Sequence, residues 1–99
     1  MKGKFYVTAK GYKSYEIFEA DETFIFKIAD ILVDKLEFKK EAVPIIGLDG
    51  CYMDFFKNHI VITVGWDNWS GCFAMSNCCE GERYIIELGK YVDSFLETL

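Results

Sequence analysis

A chain of 99 residues that is 52% hydrophobic and 17% aromatic is one domain long and far too apolar to stay disordered, and halving it would leave two pieces too small to bury a core. Its formal net charge is −5, and because residues 1–15 carry four lysines and no acid, the rest of the chain holds about −9. That balance opposes nucleic acid and membrane surfaces and favours a basic partner. The longest apolar runs, such as Ile60-Val61-Ile62, are only a few residues, which excludes a membrane-spanning helix.

The amino terminus, Met1-Lys2-Gly3-Lys4, is basic, but Lys10, Lys13 and Glu16 interrupt any apolar segment behind it, so no secretory signal is expected and a cytoplasmic location is. Cys51, Cys72, Cys78 and Cys79 are then expected as thiols, small apolar residues in a reducing compartment. No repeat and no linker composition divides the chain, so residues 1–99 are expected to form a single domain.

In chain order, Phe5 to Ala9 and Tyr15 to Phe18 are aromatic and β-branched enough for two strands, with Lys10-Gly11 as the turn of a hairpin. Asp21 is a good N-cap for an amphipathic helix reaching about Phe38, with Ile25, Ile28, Ala29, Leu32 and Leu36 at helical spacing. Residues 39–50, with Pro44, Gly47 and Gly50, are expected to be irregular.

From Cys51 the period changes to two. A strand to Phe56, a turn at Lys57-Asn58, a second strand from His59 to Trp66 and a third from Cys72 to Ser76 make an antiparallel meander. The last segment places Ile85, Leu88, Val92, Phe95, Leu96 and Leu99 at helical spacing from Glu82, with Gly89 costing about 1 kcal/mol against Ala. A strand over Arg83–Leu88 is the alternative, and the long helix is preferred. The expected fold is an α+β two-layer sandwich, a three-strand meander with or without the added N-terminal hairpin, covered by two helices.

Among candidate sites, Gly65-Trp66-Asp67-Asn68-Trp69-Ser70-Gly71 stands out, because a hairpin turn needs no indoles. Trp66 fits the inward face of its strand by alternation, while Trp69 beside Asp67, Asn68 and Ser70 combines an aromatic anchor with hydrogen-bonding groups, as protein-binding hot spots do. The spacing of the four cysteines and His59 does not match a zinc site, and no metal is expected. His59 and Ser70 or Cys72 lie at opposite ends of one strand, roughly 20 Å apart at ~3.3 Å per residue, too far for a nucleophile and its base. Asp30, Asp34 and Glu37 share a helix face that reads as solvated surface, and the N-terminal lysines read as edge-strand protection. No nucleotide-binding motif is present, so no cofactor is expected.

The order helix, three-strand meander with a Trp/Asp-rich turn, then helix over residues 21–98 resembles small bacterial proteins of the toxin-immunity type and related short families. Proteins of that type neutralise a cognate toxin by binding it, which implies a basic toxin domain as partner. The leading expectation is therefore a non-enzymatic protein-binding domain using Trp66, Asp67, Asn68, Trp69 and Ser70, and it requires that the indoles not both be enclosed. A free strand edge would also allow a homodimer. The alternatives are a small-molecule or peptide binder with a pocket of Trp66, Trp69, Tyr52 and Phe56, and an enzyme using Asp67 or Cys72.

Overall fold

The segments of period two pair into one antiparallel sheet. In the computed structural model, which describes residues 3–40, 45–46 and 50–97, the strands are β1 (Lys4–Val7), β2 (Lys13–Ile17), β3 (Lys39–Lys40), β4 (Ile45–Ile46), β5 (Gly50–Lys57), β6 (Ile60–Asp67) and β7 (Gly71–Ser76). They run in the order β1-β2-β7-β6-β5-β3, with β4 also pairing β5. The helices are α1 (Phe24–Asp34) and α2 (Glu82–Glu97), the latter entered through a single 3-10 turn at Cys79–Gly81. The α+β sandwich is as expected, and the N-terminal hairpin is part of it, since β2 pairs with β7.

Three local expectations need correction. The stretch 39–50 is not wholly irregular: β3 and β4 both pair with β5, while residues 41–44 and 47–49, including Pro44, lie outside the described residues. The turn after β5 is Asn58-His59 instead of Lys57-Asn58, because Lys57 pairs with Ile60 and Asn58 takes the positive φ of 56° that asparagine tolerates. Helix α1 is shorter than 21–38 at both ends. At its start Asp21 Oδ1 accepts the Thr23 N–H at 3.0 Å, and this local turn takes up residues 21–23. At its end the chain turns at Glu37, φ 63°, and Phe38 N–H reaches back to Leu32 O at 2.9 Å, which seats Phe38 in the core.

Both helices lie on one face of the sheet. Strand alternation sends Tyr15, Ile17, Phe55, Ile62, Val64 and Cys72 to that face, where all are 0% exposed against Ile28 and Leu32 of α1 and Ile85, Leu88 and Val92 of α2. Packing this apolar surface between sheet and helices supplies the main stabilisation, at about 25 cal/mol per Å² of apolar area removed from water. Among the described residues, no helix is long and apolar enough to cross a membrane.

Helix α2 is continuous through Arg83–Leu88, which excludes the strand alternative. Gly89, unfavourable by propensity, sits where a Cβ would lie 2.5 Å from the Phe5 ring and 3.0 Å from the Tyr15 ring. The missing side chain lets α2 ride directly on these two rings, which meet edge to face at 5.1 Å. Tyr15 then donates its hydroxyl to Asp93 Oδ1 of α2, and burial with the Asp93 carboxylate pushes the phenol pKa well up. Replacing Gly89 by Leu should therefore destabilise the protein by about 1–3 kcal/mol despite the gain in helix propensity, read as a lower urea midpoint with an unchanged slope.

Candidate functional site

The β6–β7 hairpin closes at the pair Asp67–Gly71. Asp67 Oδ1 accepts the backbone N–H of Trp69 at 2.9 Å and of Ser70 at 2.6 Å, so one carboxylate oxygen holds the tip. Gly71 follows at φ 70°, where a Cβ would stand 2.3 Å from Ile17 O of β2. The turn is thus fixed from within and from the neighbouring strand. At its apex Asn68 is exposed and Trp69 is 70% exposed.

Trp66 lies apart from the rest of this segment. It faces the helix side, half-buried, and its Nε1–H donates to Ala20 O at 3.1 Å. Beside it the Cys72 Sγ–H donates to Asp21 O at 2.9 Å. These two bonds fasten the chain between β2 and α1 against the end of the sheet. That connection carries Phe18, 72% exposed, and the exposed acids Glu19, Asp21 and Glu22. Two hydrogen bonds from Thr23 hold the Asp21 carboxyl below its usual range. Phe18 and Trp69 are therefore both exposed at the same end of the sheet, on segments that also carry Glu19, Asp21, Glu22 and Asp67.

The four-aromatic pocket expected from sequence is not assembled. Trp66 pairs with Cys51 on the helix side, Trp69 is at the hairpin tip, and Tyr52 pairs with Gly65 on the opposite, helix-free face. There Tyr52 instead meets Phe73, with ring centroids 5.9 Å apart over the bare Cα of Gly65. Across the sheet the register continues this row as Tyr52, Gly65, Phe73, Glu16 and Lys4. A concavity of ≈ 300 Å³ opens on this face, lined by Ser14, Glu16, Tyr52, Asp67, Ser70 and Phe73 together with Thr8 and Met75. Burial pushes the Glu16 carboxyl pKa up, a hydrogen bond from Ser14 Oγ at 3.1 Å opposes the shift, and the nearby Asp67 charge reinforces it.

Asp67 and Ser70 of the expected site thus belong both to the turn and to the concavity. Phe18, Glu16 and Phe73 were not anticipated, and Tyr52, expected in a pocket with the two indoles, lines this one without them. The alternation Ser14, Glu16 along β2 and Phe18 just after it was the available signal, but its meaning depends on the β2–β7 pairing. Cys72 is 0% exposed with its thiol pushed up to about 12 by burial, so it is no nucleophile at neutral pH. His59 sits at the far end of β6, paired with Glu80 at 2.7 Å. Among the described residues no group of three or more His, Cys, Asp or Glu side chains is placed to hold a metal ion.

The two indoles should separate cleanly in stability measurements. Trp69→Ala is expected to change the unfolding free energy by no more than about 0.5 kcal/mol, whereas Trp66→Ala should cost about 2–4 kcal/mol. Glu16→Gln should stabilise the protein at pH 7. A carboxyl whose folded pKa is raised weakens folding above that pKa, so the advantage of the variant shrinks as pH falls through the carboxylate range, which urea midpoints at pH 7 and pH 4 would show. No family model matches this chain, and no curated protein and no solved structure matches it.

Proposed function

We propose that this chain is a cytoplasmic, non-enzymatic protein-binding domain that docks a basic partner on the end of the sheet formed by the 66–71 hairpin and the segment 18–22. The observation that carries the proposal is the display of Trp69 at 70% and Phe18 at 72% exposure on backbone that is otherwise firmly held. Exposing two large aromatics at one end of the sheet forgoes burial, and rigid aromatics on a fixed turn are what a hot spot uses, since little side-chain entropy is lost on docking. Glu19, Asp21, Glu22 and Asp67 frame them with negative charge, which would steer a Lys/Arg-rich surface and speed encounter.

An immunity role, in which the domain neutralises a basic toxin by covering its active surface, fits this chemistry and is the form of the proposal we favour. Affinity capture with this chain, tagged, from its own cells should recover one stoichiometric protein with an excess of Lys and Arg, held less tightly as salt rises. Trp69→Ala and Phe18→Ala should each reduce its retention about tenfold or more, and expression of that protein alone should arrest growth that co-expression of this chain restores. Equal recovery by the wild type and both variants would remove the hairpin end from consideration, and a captured protein without toxicity would leave binding but reject immunity.

A further inference from the structure

We propose that the concavity on the helix-free face of the sheet receives one guanidinium or ammonium group, supplied by an arginine or lysine side chain of the docked partner. The inference rests on the docking reading and names the group that would enter beside Trp69. Four observations carry it. The hollow of ≈ 300 Å³ is large enough for a single long side chain, and it adjoins the hairpin tip through Asp67 and Ser70, which line it. Its lining is partly aromatic, since Tyr52 and Phe73, whose rings meet over Gly65, both border it, and aromatic rings attract cations.

Two carboxylates, Glu16 and Asp67, line it close enough for their like charges to be felt, and no basic side chain does. Asp67 spends Oδ1 on both turn hydrogen bonds, while Oδ2 takes part in neither. Lys4 stands opposite Glu16 in the β1–β2 register, yet no ion pair joins them. Further along the same face Asp54 is occupied by the Thr63 hydroxyl at 2.6 Å. A cation entering the hollow would therefore meet two carboxylates without a countercharge and an aromatic surface, the combination that a planar guanidinium matches best.

The test uses the isolated full-length protein with N-acetyl-arginine methylamide as probe and its neutral isostere, N-acetyl-citrulline methylamide, as control, followed by amide NMR. The arginine compound should shift the resonances of Glu16, Asp67, Ser70 and Phe73 with an affinity on the order of millimolar, and the citrulline compound should not. Glu16→Gln, which preserves shape and is expected to fold at least as stably, should weaken the arginine probe about three- to tenfold. Equal response to both compounds, shifts confined to other surfaces, or indifference to Glu16→Gln would each overturn the cation site. Failure of the probe while Trp69→Ala still abolishes partner capture would reject this inference and keep the docking end. A probe that binds as described while capture ignores Trp69 and Phe18 would keep the cation site and reject that end as the place where the partner's side chain enters.

Discussion

The pairing of β2 with β7 is the contact on which the rest of the molecule depends. It joins an N-terminal hairpin to a meander that begins more than thirty residues later in the chain, and it brings together residues that no local pattern relates. Ile17 opposite Cys72 extends the helix-facing apolar layer, so that α2 has a second strand to cover besides β7. The same register puts Glu16 beside Phe73 and the start of the 18–22 segment beside Gly71. Core and candidate site are thus two faces of one ladder, and a slip of one residue would exchange them.

Much of the architecture was legible because its causes are local. Period two in Cys51 to Ser76 and helical spacing in the two amphipathic segments followed from which residues must share a buried face. What sequence could not convey is where local rules yield to contacts made at long range. Gly89 argued against its helix until Phe5 and Tyr15, more than seventy positions earlier, supplied the reason for it. The two-residue strands β3 and β4 exist only because β5 offers an edge, and strands so short carry no periodicity to read.

The candidate site divided along the same line. Strand alternation placed Trp66 inward and left Trp69 as the displayed indole, and the hydrogen-bonding power of Asp67 in a turn was evident from its type. Phe18 and Glu16 were missed, because an acid in an N-terminal strand and an aromatic just after it acquire meaning only once that strand lies next to the hairpin. The result is a sheet whose two faces obey different chemistry. One is closed by helices, and the other carries a tilted aromatic pair and a carboxylate kept partly from water.

The unlike settings of the two indoles also endow the molecule with its own optical label. Trp66 is partly buried beside the core and hydrogen-bonded to a main-chain carbonyl, whereas Trp69 stands 70% exposed in water, so the two should emit at different wavelengths. With only these two tryptophans in the chain, the emission of one would follow the integrity of the core and that of the other the solvent access of the hairpin tip, without any attached dye.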